Sequence, residues 1–284
     1  MSAMNRREFL LAGAGLTVLA ACGSKKGDDV VAKVTDPSGT KAKRLNLVVA
    51  TYFHVAGIDE RVTAAIINAE GSGPVPLDGP VELTIDGQRV ESTTHTDGTP
   101  LPYLLVHHRF AAPGVAMLRA TFKGATGEAA LQVVDPATLR VPFPGKPLIS
   151  APSPTAAATL GVDPICTADP VCPLHEVSLD AALAEKRPLA VLFSTPARCQ
   201  SRFCGPVLDT LVEQHSAFGD KVRFLHVEIY KARTGSELAP TVSAYGLEQE
   251  PILFLAGADG VVRERLDNAY DRVELKAALA RLVS

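Results

Sequence analysis

The sequence predicts a multidomain chain in which an all-β sandwich over residues 44–135 precedes an α/β domain over residues 178–284. Three observations lead there. Short strand-like runs separated by turn residues fill the first part. From Ser178 onward the apolar spacing switches to alternating helices and strands. Between the two, residues 136–177 carry Pro136, Pro142, Pro144, Pro147, Pro152, Pro154 and Pro164, a density that favours an extended, semi-rigid linker.

Ahead of the sandwich, Arg6-Arg7 is followed by a charge-free run over 9–21 and then Cys22. The run is too short to cross about 30 Å of hydrocarbon and has the layout of an export signal. Residues 1–21 are therefore expected to be a signal peptide, with Asn5-Arg6-Arg7-Glu8-Phe9-Leu10 resembling a twin-arginine export motif. Leu19-Ala20-Ala21-Cys22 resembles the bacterial lipobox, which implies a diacylglyceryl group on Cys22. Two acyl chains anchor stably where one does not. Residues 22–43, rich in Gly, Lys, Asp and Ser, are then a lipidated flexible tether. This layout places the chain on the extracytoplasmic face of the cell membrane, held through its lipid anchor.

With 28 Lys+Arg against 31 Asp+Glu, a net charge of −3 and a pI near 6.2, the chain has no nucleic-acid footprint. An apolar content of 46% is ample for real cores.

In the first part, strands are expected over 45–53, 62–68, 81–86, 104–110, 115–123 and 129–134. Their turns are marked by Asp86-Gly87, Asp97-Gly98, Pro113-Gly114 and Gly124. Ala116, Leu118, Ala120 and Phe122 alternate with Met117, Arg119, Thr121 and Lys123, the period of a half-buried strand. Short strands at this spacing suggest an immunoglobulin-like sandwich. His107 and His108 point to opposite faces of their strand, one expected buried and one exposed, and so do not share a metal. This part reads as a spacer or binding module.

In the second part, Ser178 is placed to cap a helix and 189–194 has the length of a buried strand. Residues 201–218 read as a helix with Cys204, Val207, Leu208 and Leu211 on one face. A strand over 222–229, a short helix ending at Gly246, a hairpin over 252–266 and a last helix opened by Asp271 and Glu274 follow.

Five cysteines are present. With Cys22 set aside, Cys166, Cys172, Cys199 and Cys204 remain, an even number that reads as disulfides in an oxidising compartment. Cys166 and Cys172 lie in a Pro-braced loop and are expected to form a structural disulfide; an alternative has this loop exchanging with Cys199. Cys199 and Cys204 are the candidate catalytic pair. In a regular helix, residues five apart have Cα atoms about 8–9 Å apart, whereas a disulfide needs less than about 7 Å. Cys199 is therefore expected in the loop before the helix, or the first turn unwinds. A helix N-terminus together with Arg198 and Arg202 would favour the Cys199 thiolate.

The element order and Phe193-Ser194-Thr195-Pro196, Cys199-Gln200-Ser201-Arg202 and Cys204-Gly205-Pro206 resemble the thioredoxin family, specifically a branch of exported bacterial thioredoxin-like lipoproteins with a β-rich N-terminal region. The resemblance covers residues 187–283 and implies a thioredoxin fold. It makes Glu250-Pro251 the cis-proline site that binds an extended substrate. Departures are clear. The usual Trp-Cys-Gly-Pro-Cys is absent and the chain has no Trp. Counted from Pro206, the family's second Cys slot falls on Ser201. Its buried Asp falls on Leu192 and the partner Lys on His226.

The expected function is a thiol–disulfide oxidoreductase acting on exported protein thiols or disulfides, with Cys199 as nucleophile, Cys204 as resolving thiol, no cofactor and no metal ligands assigned. A copper metallochaperone is the alternative, for which His226 and His175 are the only nearby histidines. A non-catalytic binding module is another. A thiol peroxidase is disfavoured because Pro196 sits too close to Cys199 for that family's motif.

Overall fold

The computed structural model describes residues 44–284 apart from Ser72 and Gln200. The expected signal peptide, tether and lipidated Cys22 lie outside the described residues. The described residues belong to one compact unit. No helix among the described residues is long and apolar enough to cross a membrane.

The first part is a β-sandwich. Its strands are β1 (Asn46–Val49), β2 (His54–Val55), β3 (Asp59–Ile67), β4 (Glu82–Ile85), β5 (Gln88–Val90), β6 (Thr93–His95), β7 (Tyr103–Arg109), β8 (Gly114–Phe122) and β9 (Ala125–Val134). One sheet has the order β1-β3-β7-β6 and the other β2-β9-β8-β4-β5. The alternation read along β8 is real: Ala116, Leu118, Ala120 and Phe122 are buried and meet Val62, Ile66 and Leu104 of the facing sheet in one core. Strands β2, β5 and β6 are additional to the six expected. The expected strand over 45–53 ends at Val49 because Thr51 pairs with β3 through its side chain, its hydroxyl accepting from the Thr63 amide at 2.9 Å. His107 is exposed and His108 half-buried against Phe110, so neither is a core residue.

The second part contains α1 (Leu179–Ala184), β10 (Leu189–Ser194), α2 (Cys204–Phe218), β11 (Arg223–Glu228), α3 (Pro240–Tyr245), β12 (Ile252–Ala256), β13 (Val262–Asp267) and α4 (Arg272–Leu282). The sheet order is β11-β10-β12-β13. β10 runs parallel to β11 and antiparallel to β12, which is antiparallel to β13. Residues of β10 are buried on both faces. Ala190 and Leu192 face Leu208 and Leu211 of α2 and Leu275 and Leu279 of α4. Val191 and Phe193 face Leu179 of α1 and Val242 and Tyr245 of α3. This is a three-layer α/β body with two helices on each side of the sheet.

The sequence signals at the element ends hold in most places. α3 stops at Gly246, whose φ of 65° is the left-handed conformation that glycine adopts without a Cβ penalty. Asp271 caps α4 by accepting from the Glu274 amide at 2.8 Å. Ser178 precedes α1 but does not cap it; its hydroxyl bonds Asp180 and accepts from the Ser153 amide. The helix expected from 201 starts only at Cys204.

Residues 136–177 are not a linker between separate bodies. Val141, Phe143, Leu148 and Val162 are buried, and Val141, Leu148 and Val162 join the core under α1 and α3. Gly145 donates to the Val262 carbonyl at 2.9 Å, and the Val262 amide returns to Lys146 at 2.8 Å. Further on, the His226 amide donates to the Leu174 carbonyl at 3.0 Å. The prolines set an extended path, and the apolar residues between them bind that path to the sheet.

The sandwich and the α/β body meet at a buried ion pair. Arg61 of β3 holds both carboxylate oxygens of Glu274 in α4, one of them at 2.8 Å. Tyr103 of β7 donates to the same carboxylate, and its oxygen accepts from the Asp271 amide at 2.9 Å. Arg61 also reaches the carbonyls of Asp267 and Ala269. Burial acts to raise the Glu274 pKa, but the Arg61 guanidinium and the hydrogen bonds outweigh it and hold the carboxyl below its ordinary range.

Removing one partner of a buried pair strands the other. Arg61→Met is expected to destabilise the protein by about 3–5 kcal/mol in chemical denaturation, and Arg61→Met/Glu274→Leu to recover most of that loss. A depressed carboxyl stabilises fully above its unfolded value of about 4.5 and loses that contribution as pH falls through its folded value. The stability gap between wild type and Glu274→Gln should therefore be constant above about pH 4.5 and shrink in more acid solution.

Candidate functional site

β10 ends at Ser194, and the chain then loops through residues 195–203 before entering α2. Cys199 lies in that loop and Cys204 is the first residue of the helix. They are joined by a disulfide with Cα atoms 5.7 Å apart. The separation is short because the five-residue step is made by loop and not by helix, with Arg202 in the left-handed region at φ 64°. Cys199 is half-buried, while Cys204 is fully buried on the face of Val207, Leu208 and Leu211. The Cys204 amide, one of the free donors at the helix start, points at the Cys199 sulfur at 3.1 Å. That donor favours negative charge on the Cys199 sulfur once the bridge opens.

The expected help from Arg198 is absent. Its guanidinium lies 3.9 Å over the Tyr230 ring and donates to the carbonyls of Ala232 and Gly235. Arg198 braces the loop and does not face the thiol.

The Glu250–Pro251 peptide is cis, as the family resemblance implies. The Pro251 carbonyl accepts from the Asn268 amide at 2.8 Å. The Glu250 carbonyl, in the segment expected to bind an extended substrate, accepts from the Tyr52 hydroxyl. The Ser201 side chain, between the two cysteines, lies beside the Tyr52 phenol. One side chain from the sandwich thus touches both the proline loop and the cysteine loop. Burial, with the carboxylates of Asp267 and Glu250 nearby, pushes the Tyr52 phenol far above its usual range, so it stays protonated and able to donate. Sequence reasoning missed Tyr52, because it lies in the run expected to be plain strand.

Cys166 and Cys172 do not form the expected disulfide. Both are buried free thiols. Their sulfurs turn towards two histidines, a gathering that could hold a metal ion and that the sequence reading did not assign. Cys172 Sγ lies 3.2 Å from His175 Nε2 and 3.4 Å from His226 Nδ1; Cys166 Sγ lies 3.7 Å from His226 Nδ1. His226 sits in β11 opposite Leu192 of β10, the two positions where the resemblance placed the family's buried Lys and Asp. The contact between the two thiols lowers the Cys166 pKa and raises that of Cys172, so one thiolate is favoured over two.

The cluster is wired to the cysteine loop. His226 Nε2 lies 3.1 Å from the Ser194 carbonyl and 2.9 Å from the Ser194 hydroxyl, where the loop begins. The Thr167 amide donates to the buried Glu228 carboxylate at 2.8 Å, and the Thr167 hydroxyl accepts from the Ala197 amide at 3.1 Å. Beside it a groove of about 560 Å³ runs between residues 167–173 and α2, floored by Leu208 and walled by Pro170, Val171 and Pro196.

No family model matches this chain, and no curated protein matches it. Among solved structures it is similar to the Lin-41 filamin domain at 14% identity, covering 33% of this chain and 95% of that one with a TM-score of 0.24. It is similar to the M1 domain from titin at 8% identity, covering 32% and 94% with a TM-score of 0.22. A polysaccharide lyase is similar at 12% identity, but only 12% of that chain is covered, with a TM-score of 0.23. Scores this low carry no inference about activity or partners.

Proposed function

We propose that this chain is a thiol–disulfide oxidoreductase of thioredoxin type, held by a lipid on Cys22 at the extracytoplasmic face of the cell membrane and acting on exported proteins. The single observation that carries the reading is the Cys199–Cys204 bridge, half-exposed at one sulfur and buried at the other, at the amino end of α2. The element order around it and the cis bond before Pro251 support assigning residues 178–284 to that fold.

The chemistry follows from the two environments. In the reduced state the Cys199 thiolate attacks one sulfur of a client disulfide and expels the other as a thiolate. The mixed disulfide then breaks when Cys204 attacks the Cys199 sulfur, which releases the client as a dithiol and leaves the Cys199–Cys204 bridge. Two electrons pass to the client. Run backwards, the same steps oxidise it.

Cys204→Ser should trap mixed disulfides through Cys199, read on diagonal gels of membrane extracts, and Cys199→Ser should trap none. After reduction Cys199 should alkylate at least about tenfold faster than buried Cys204. A bridge that resists strong reductant, with neither variant trapping a client, would make the pair structural and remove the activity.

Tyr52 occupies the Glu250 carbonyl that a client backbone would use. Tyr52→Phe removes one hydrogen bond, worth about 1 kcal/mol. Disulfide exchange with a peptide substrate should then quicken by roughly fivefold. An unchanged or slower rate in stopped-flow assays would show that the hydroxyl does not guard this edge.

A further inference from the structure

We propose that Cys166, Cys172, His175 and His226 form a tetrahedral zinc site, separate from the Cys199–Cys204 pair and independent of the redox reading. Their four donor atoms lie within 4.8 Å of one another, and all four residues are buried. Zinc–sulfur bonds of about 2.3 Å and zinc–nitrogen bonds of about 2.0–2.1 Å in a tetrahedron give edges of about 3.3 Å between nitrogens and about 3.6 Å between nitrogen and sulfur. Here the two nitrogens are 3.3 Å apart, three of the four nitrogen–sulfur edges are 3.2, 3.4 and 3.7 Å, and the fourth lies within the 4.8 Å that bounds the set.

The tautomer of His226 points the same way. Its Nε2 faces the Ser194 carbonyl, which only accepts, so that nitrogen carries the hydrogen and Nδ1 presents a lone pair to the cluster. A ring nitrogen turned to a backbone carbonyl while the other faces inward is the usual support of a metal-bound histidine.

Two thiolates and two imidazoles with no position left for solvent make a closed site, the pattern of structural zinc. Copper(I) also accepts thiolates, but a copper carrier must pass its ion to a partner. Here the four residues are only 1%, 8%, 5% and 2% exposed in chain order, which suits retention and not transfer. Binding one Zn²⁺ at two thiols forms two zinc–sulfur bonds and releases two protons. Three ligands come from the segment around 166–175 and the fourth from β11, so the ion would fasten that segment to the sheet behind the loop that carries Cys199.

The test uses the full chain with its Cys199–Cys204 bridge intact and the other two thiols reduced. Co²⁺ titration should show one ion per chain, with tetrahedral ligand-field bands and thiolate charge transfer that Zn²⁺ abolishes. Cys166→Ser and His226→Gln should each weaken uptake more than the ~10–100-fold typical of losing an outer partner, with the circular dichroism of the fold preserved. Should those variants fail to fold, the wild type decides alone. Chelator should lower its thermal midpoint and one equivalent of Zn²⁺ should restore it. Absence of Co²⁺ uptake by protein with both thiols titrating free, a spectrum lacking thiolate charge transfer, unchanged uptake in Cys166→Ser, or copper in place of zinc in metal analysis of protein purified from cells would overturn the assignment.

Discussion

The Arg61–Glu274 pair sets the geometry on which the rest depends. Arg61 comes from the sandwich and Glu274 from the last helix of the α/β body, and both are almost free of solvent. A buried pair of this kind contributes little net stability against an apolar replacement, yet it tolerates only one mutual placement of its partners. Around it Tyr103 bridges Glu274 and Asp271, and the Tyr52 amide bonds the Asp267 carboxylate at 3.0 Å. The loop over 50–53 is thereby laid against the end of the α/β sheet. Only because the sandwich is fixed there does Tyr52 reach the Glu250 carbonyl and Ser201. The β-rich half is a wall of the candidate site, where its sequence suggested a spacer or binding module.

A second line of dependence runs through the end of β10. Ser194 meets His226 on one side and opens the cysteine loop on the other, while Glu228, its register partner in β11, holds Thr167 and through it Ala197. The loop that presents Cys199 is therefore held from behind by His226, Glu228 and Thr167, all buried. Their arrangement couples the position of the half-exposed sulfur to the packing of residues 166–175.

Much of this was legible in the sequence, and the misses have physical causes. Apolar periodicity located the helices and strands of the second half, because each buries a distinct face against the sheet. The end of α3 at Gly246 and the Asp271 cap were readable because each is a local backbone event. The loop at 50–53 was misread as strand because Thr51 replaces a ladder bond with a side-chain one, which apolar alternation does not reveal. Residues 136–177 were read as a linker from their prolines. The signal missed was the set of large apolar residues among them, Val141, Phe143, Leu148 and Val162. Spacing recommended a Cys166–Cys172 bridge, and nothing local disclosed that His226, remote in sequence, would turn its ring between those sulfurs. The Cys172-x2-His175 spacing was the one available hint.

The Pro-rich segment has a further consequence for how the α/β sheet survives in solution. The outer strands of that sheet are β11 and β13, and an open strand edge invites pairing with another chain. Leu174 takes the amide of His226 on one outer strand, and residues 145–148 pair beside Val262 on the other. A single stretch of backbone thus covers part of both rims. Pro147 and Pro173 have no N–H to offer, so the covering strip is itself a poor template for a newcomer. The same residues that read as a linker help to shield the molecule from sheet-to-sheet association.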